Sequence, residues 1–337
     1  MERVSTLILT RSDLVELMNL SDYRDAVENA FSSLASGRVT GAGILDIPGQ
    51  DGMFHVKGCG MQMGEDLYVA VKVNGNFPDN QKRYGLPTIQ GAILLCDGIH
   101  GNPLALLDSA EITMQRTAAA SVIAALHLAR KNPKTITICG CGLQGRIHLL
   151  SLKEIFPLSR AFAFDQNQEL AKAFCDRMQQ ETGIPVVPLS HLAEGTRQSD
   201  VIVTCTTSRK YILKNEDVSP GAFVAAIGAD SHDKQEIDPS LLASSKVVAD
   251  ILDQCVRIGD LHHAIEERRM TRDDVYAELH EITSGAKRGR TSEKEIIVFD
   301  STGTAIQDVA AAAVAYQRAL QRGIGRFVDL FGAGGTA

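Results

Sequence analysis

The segment Ile138-Cys139-Gly140-Cys141-Gly142-Leu143-Gln144-Gly145 constrains this chain more than any other. Its glycines follow G-x-G-x-x-G, with the apolar run Thr135–Cys139 before them and the helical pattern Leu143–Ile155 after them. Glycine spacing alone is weak evidence; between a strand and a helix it has a mechanism. Gly140 permits a tight turn, Gly142 lets a pyrophosphate approach the amides of a helix N-terminus, and Gly145 lets helix and strand pack closely. The next strand, Ala161–Phe164, leads into Asp165, about 25 positions after Gly140. A carboxylate there accepts hydrogen bonds from the adenosine ribose and repels a 2′-phosphate. The expected cofactor is NAD, with NADP as the alternative because Arg160 and Lys172 are near in sequence.

The rest of the second half keeps the same rhythm. Gln168–Thr182 reads as a helix, and Val201–Cys205, Phe223–Ile227, Lys246–Asp250 and Ile296–Phe299 read as short apolar strands. Apolar strands separated by helices predict βαβ units and a parallel sheet covered on both faces. Upstream, residues 5–35 read as a strand and an amphipathic helix, followed by strands at Gly52–Val56, Leu67–Val73 and Gly91–Cys96. A long helix starts near Asp108, which forms a capping box with Glu111, and continues through the Ala-rich run 118–125. The last helix, Ala305–Arg322, is expected to pack back on the N-terminal domain. The fold class is therefore α/β: a Rossmann-type domain over 128–300, inserted in a discontinuous α+β domain made of 1–127 with 301–337.

A net charge of −7 without a basic tract, no Trp and 5% aromatic residues argue against nucleic-acid and anionic-membrane partners. No membrane span or secretory signal is legible, since the N-terminal apolar run is broken by Arg11 and Asp13. The 7 cysteines form neither a zinc spacing nor a disulfide framework, so reduced thiols, no metal and a cytosolic location are expected.

Several segments resemble the ornithine cyclodeaminase/mu-crystallin family. They are Val71-Lys72-Val73-Asn74-Gly75, Gly85 to Gly91, Gly101 to Ala105, Arg116-Thr117-Ala118-Ala119-Ala120-Ser121, Gly228-Ala229-Asp230 with Lys234-Gln235-Glu236, and Phe299-Asp300-Ser301-Thr302-Gly303. The similarity runs over nearly the whole chain in the family's order. It implies an NAD(P)-binding Rossmann domain, an N-terminal dimerisation domain completed by C-terminal helices, and a homodimer. By this resemblance Lys72 and Arg116 hold the substrate carboxylate and Asp230 is the acid/base. Thr88, Arg116, Thr117, Leu143, Gln144, Asp165, Asp230, Lys234 and Ser301 line or approach the cofactor.

The chemistry of such a reaction asks for these residue types. An amino acid must present its Cα–H in a fixed direction, and two cations on its carboxylate supply that orientation. Hydride loss requires a neutral amine, so a carboxylate near the nitrogen takes its proton. Asp230 follows an expected strand, at the edge where open α/β sheets bind ligands. One stretch departs from the ornithine-specific pattern. Gly41-Ala42-Gly43-Ile44-Leu45 lacks the family's additional Arg, and His55 with Lys57 stands near the position of a Glu that receives a distal ammonium. His55 and Lys57 share one strand face, and such a pair attracts an anion. The leading expectation is an NAD-dependent amino-acid dehydrogenase or imino-acid reductase. A cyclodeaminase is the alternative, for which Asp300-Ser301 speaks, and a non-catalytic ligand-binding protein is third.

Overall fold

The computed structural model describes residues 5–330. The chain divides into two compact units, one reaching Arg116 and resuming at Thr304, the other running from Thr117 to Gly303. The helix Ser109–Leu128 passes through the first junction, giving about two turns to the first unit.

The first unit is built on β1 (Thr6–Leu9), β2 (Val39–Gly49), β3 (Gly52–Met63), β4 (Asp66–Asn76), β5 (Ile89–Asp97) and β6 (Pro103–Asp108). With the C-terminal strand Arg326–Val328 they form a sheet in the order Arg326–Val328, β1, β6, β5, β4, β3, β2. All neighbours are antiparallel except β1 and β6. Side chains alternate across the pleat. Tyr68, Ala70, Lys72 and Asn74 of β4 are buried beneath the helix Ala305–Arg322, against which the helix Leu20–Ala35 packs in turn. The intervening face carries Leu45, Val71, Val73, Leu94 and Leu106, each 37–58% exposed. These side chains are cross-strand neighbours, since Val71 pairs with Leu94 and Leu94 with Leu106.

The covering helices have clear local causes. Leu20–Ala35 starts at a reciprocal box between Asn19 and Asp22. Ala305–Arg322 carries fully buried Ala310 to Ala313, whose small side chains allow close approach to the sheet, and ends at Gly323 with φ 64°. Arg318 fastens the two, placing Nη1 and Nη2 2.5 and 2.7 Å from the carboxylate oxygens of Asp22.

The second unit contains β7 (Thr135–Cys139), β8 (Arg160–Phe164), β9 (Val186–Pro188), β10 (Val201–Thr204), β11 (Arg209–Leu213), β12 (Phe223–Ala226), β13 (Gln235–Ile237), β14 (Lys246–Ala249), β15 (Ala277–Glu278) and β16 (Ile297–Asp300). Eight of them form a parallel sheet in the order β15, β14, β16, β12, β10, β7, β8, β9; β11 and β13 pair separately. The central strands β10, β12 and β16 are buried at every residue, as continuous apolar runs in a covered parallel sheet should be. The chain leaves β7 to one side for β8 and returns on the other side for β10, so the strand order reverses beside β7. Open sheets bind ligands outside the carboxyl ends at such a point. All seven cysteines are free thiols.

The expected strands and helices of this second unit stand within a residue or so of their expected positions. In the first unit, β3 continues past Val56 to Met63, and β2 and β6 had no counterpart in the sequence reading. The glycines and Pro48 of β2 read as turn signals, but β2 is an edge strand with a register shift between Thr40 and Gly43, where such residues are tolerated.

Candidate functional site

Within the second unit the glycine segment forms a cradle at the carboxyl end of β7. Gly140 has φ 104°, and a Cβ there would stand 2.8 Å from the Cys205 carbonyl. A Cβ on Gly145 would strike the Gly140 carbonyl, so the helix sits on the strand at a distance only glycine allows. Space is open above Gly142, the N-cap of Leu143–Ile155, and no side chain caps that helix. Its first amides are therefore available to an anion. Leu143 is 71% exposed, an apolar side chain without cover. The buried Oε1 of Gln144 has no hydrogen-bond partner among the described residues. Open amides, a bare apolar side chain and an unused acceptor fit a dinucleotide.

Asp165 follows β8. Its Oδ2 accepts from the Cys141 amide at 3.0 Å and its Oδ1 from the Asn167 amide at 2.9 Å, so the carboxylate is held at the lip of the cradle. Arg160 lies at the opposite end of β8, about 16 Å away along an extended strand. Lys172 is paired to Glu169 at 3.0 Å. Neither cation is placed to neutralise Asp165 in favour of a 2′-phosphate.

Asp230 emerges after β12, 40% exposed, with Oδ1 2.5 Å from Lys234 Nζ. The turn carrying it is tied down by Glu236, a residue to which the sequence reading gave no role. Glu236 is fully buried; its Oε1 accepts from the Thr206 amide at 2.6 Å and its Oε2 from the Gly228 amide at 2.8 Å. One carboxylate thus joins the ends of β10 and β12. Burial raises Glu236, and its hydrogen bonds with Thr206 and Gly228 oppose the rise.

The first unit holds a second cluster. Lys57 and Lys72 are direct cross-strand partners on the buried face, where two like charges repel. Lys57, Lys72 and Arg116 are only 7%, 3% and 4% exposed. Asp308, from the Ala305–Arg322 helix, lies between cations, with Oδ2 2.6 Å from Lys72 Nζ and Oδ1 3.0 Å from Arg116 Nε. Gln307 Oε1 accepts from Arg116 Nη1 at 3.0 Å. Burial drives Lys72 down to about 7; Asp308 opposes this, while Arg116 and Lys57 reinforce it. Burial also works against the Asp308 charge, yet Lys72, Arg116 and Lys57 together hold that carboxyl below its ordinary range. Lys72 and Arg116 thus share Asp308 as a partner, Lys57 adds to the same positive field, and such a setting favours an incoming carboxylate.

His55 lies on the same strand as Lys57, but its Nδ1 is 2.7 Å from Asp46 Oδ1, so its expected attraction for an anion is offset by a carboxylate. Thr88 stands in the turn before β5, where its carbonyl receives the Phe77 amide. Thr117 is buried, and its carbonyl accepts from Ser121 Oγ. Ser301 is 2% exposed, with Oγ 3.2 Å from Asp250 Oδ2; the same oxygen accepts from the amides of Thr302 and Gly303 at 2.8 Å each. Its hydroxyl is thus engaged in holding the turn after β16. Asp308 and Gln307 escaped the sequence reading. An Asp three residues into a helix resembles an ordinary first-turn acid, and only the Ala-rich buried face around it signalled otherwise.

Residues 4–323 match the ornithine cyclodeaminase/mu-crystallin family. Alanine dehydrogenase of Archaeoglobus fulgidus is 36% identical over 332 residues, covering 97% of this chain and 99% of that protein. The structure of Thermococcus litoralis Δ1-pyrroline-2-carboxylate reductase with NADH and L-proline superposes with a TM-score of 0.91 and 33% identity, covering 96% of this chain and 100% of that one. An archaeal alanine dehydrogenase dimer with bound NAD gives 0.92 and 36%, covering 97% and 100%.

Proposed function

This chain belongs to the ornithine cyclodeaminase/mu-crystallin family and is an NAD(H)-dependent oxidoreductase of the Cα–N bond of an amino or imino acid, and we propose that it works as a dehydrogenase or imino-acid reductase with no cyclodeaminase step. The buried cluster of Lys57, Lys72, Arg116 and Asp308 carries this reading. It offers cationic side chains to a carboxylate, and Asp308 is already bound by Lys72 and Arg116. A distal ammonium would meet repulsion there. The feature that favoured a cyclodeaminase is also otherwise occupied, because fully buried Asp300 accepts from the amides of Asp260 and Leu261 at 3.3 and 2.9 Å.

In this mechanism Lys72 and Arg116 fix the substrate carboxylate, Arg116 through a planar guanidinium and Lys72 as a point charge. Lys57 adds charge behind them. Asp230 removes a proton from the amine before oxidation and returns it to the nitrogen in reduction. Lys234 compensates the Asp230 charge, and Glu236 fixes the turn on which Asp230 stands. Gly140, Gly142, Gly145, Leu143, Gln144 and Asp165, with Thr88, Thr117 and Ser301, would hold NAD, which when bound would supply the hydride acceptor for oxidation at Cα and, in its reduced form, the hydride donor for reduction.

The protein works as a homodimer joined through the apolar face of Leu45, Val71, Val73, Leu94 and Leu106, too large a row of exposed branched side chains for a sheet facing water. The archaeal alanine dehydrogenase is described as a dimer. Its partners are small amino or imino acids, and its place is the cytosol; no described helix is long and apolar enough to cross a membrane.

The test is a panel of amino and imino acids with NAD+ or NADH, reading NADH absorbance and ammonia together. Stoichiometric NADH change with one substrate supports the proposal. Ammonia from a diamino acid without net NADH overturns it. In Asp230→Asn, turnover should fall by about two to four powers of ten with NADH binding retained; unchanged turnover removes Asp230 from its role.

A further inference from the structure

The short helix Asp260–Glu266 in the second unit carries His262, His263 and Glu266, whose candidate ligand atoms all lie within 4.8 Å of one another. Each imidazole is fixed by a backbone carbonyl. His262 Nδ1 is 3.2 Å from the Val256 oxygen, and His263 Nε2 is 2.8 Å from the Lys234 oxygen. A carbonyl only accepts, so these two nitrogens carry the protons. In the neutral rings, His262 Nε2 and His263 Nδ1 therefore keep lone pairs. A ring N–H held by a carbonyl, with the opposite nitrogen left as a donor of electrons, is how metal-ligating histidines are oriented.

The third group fits the same role. Glu266 is one helical turn from His262, and its Oε2 lies 3.7 Å from His262 Nε2. That is too long for a hydrogen bond but within about half an ångström of the separation between two ligands on one ion with bonds of about 2.1 Å. The Glu266 side chain is 71% exposed and free to adjust, whereas both imidazoles are partly buried and anchored.

We propose that His262, His263 and Glu266 bind one divalent transition metal of the zinc class, with water completing its coordination. Two imidazoles and one carboxylate suit a borderline-soft ion and disfavour magnesium or calcium, which take oxygen ligands. His263 is bonded to the carbonyl of Lys234, whose ammonium holds Asp230. An ion that locks His263 therefore also stiffens the turn bearing Asp230.

Zinc ion titrated into the metal-stripped full chain, in competition with a chromogenic chelator, measures this directly. One zinc per chain is expected, weakened by at least about tenfold in His262→Ala and in Glu266→Gln. His100→Ala, which removes an exposed histidine elsewhere, should leave affinity unchanged. A circular-dichroism melt of each variant confirms folding. Absence of a saturable zinc site, or zinc affinity equal in wild type, His262→Ala and Glu266→Gln, overturns the proposal.

Discussion

Asp308→Asn keeps the shape of the buried cluster and removes the carboxylate shared by Lys72 and Arg116. In the wild type Asp308 reaches Lys72 at 2.6 Å and Arg116 at 3.0 Å, with the side chains of both pairs at most 4% exposed. Removing one partner of such a buried pair costs about 3–5 kcal/mol, because the other charge is left uncompensated. The two cations respond differently. Arg116 cannot lose its proton and keeps Gln307 as an acceptor. Lys72 already stands at about 7 against an ordinary 10.5, and the loss of Asp308 removes the one carboxylate that raises it. Lys72 in the variant will therefore discard its proton at neutral pH and lower the cost.

The sign follows from linkage. The folded value of Lys72 lies below the unfolded one, so the native state rejects this proton. Its contribution favours folding fully above 10.5 and is lost as pH falls toward 7. In the variant the loss continues further into acid, by about 1.4 kcal/mol for each unit by which Lys72 drops. Urea unfolding of ligand-free protein at about pH 6 and about pH 8.5 measures it. The destabilisation should approach about 3–5 kcal/mol at the lower pH and shrink by at least about 1 kcal/mol at the higher. An equal loss at both values would refute the idea that Asp308 keeps Lys72 charged.

Glu236→Gln should raise the KM for NADH and lower kcat while leaving the far-ultraviolet spectrum unchanged, since one of its two amide contacts must go; unaltered kinetics would show that the β10 and β12 ends hold their shape unaided. Burial works against the charge of Glu295, but Lys246, Thr291 and Ser292 bring it down to about 2 from 4.5; it stabilises the fold above 4.5, and that support disappears as pH falls toward 2. Glu295→Gln should therefore cost about 1 kcal/mol at neutral pH after solvent screening, and nothing near pH 2, by unfolding titration. Val71→Lys should shift the mass measured by light scattering from dimer to monomer, and a dimer of undiminished stability would place the interface elsewhere.

The second unit was the more legible in sequence because its strands are buried on both faces and so read as uninterrupted apolar runs. β7 and Leu143–Ile155 could be bounded to the residue, since glycine leaves a signature wherever backbone must approach backbone. The first unit shows alternation on one face only, diluted by Gly and Pro in β2. Lys72 and Arg116 were located through likeness to relatives, for a lysine on an alternating strand reads equally as a solvated side chain. What no local pattern encodes is the partner 192 residues along the chain from Arg116, Asp308, which closes the cluster only after the final helix has covered the sheet. The structural roles of the buried carboxylates Glu236 and Asp300 escaped for a related reason: their partners are backbone amides, which carry no residue signature.

Lys57 and Lys72 stand opposite one another on the buried face of the sheet, like charges on neighbouring strands. An anion that settles against them removes a repulsion the empty protein must carry, so occupancy and folding are linked. If the substrate carboxylate is that anion, as proposed above, the substrate is in this sense part of the structure. When its concentration falls, a larger fraction of the chains occupies the less stable form, open to unfolding and to proteases. The amount of enzyme a cell retains would then follow the supply of the acid it consumes, without any dedicated sensor and without a change in synthesis.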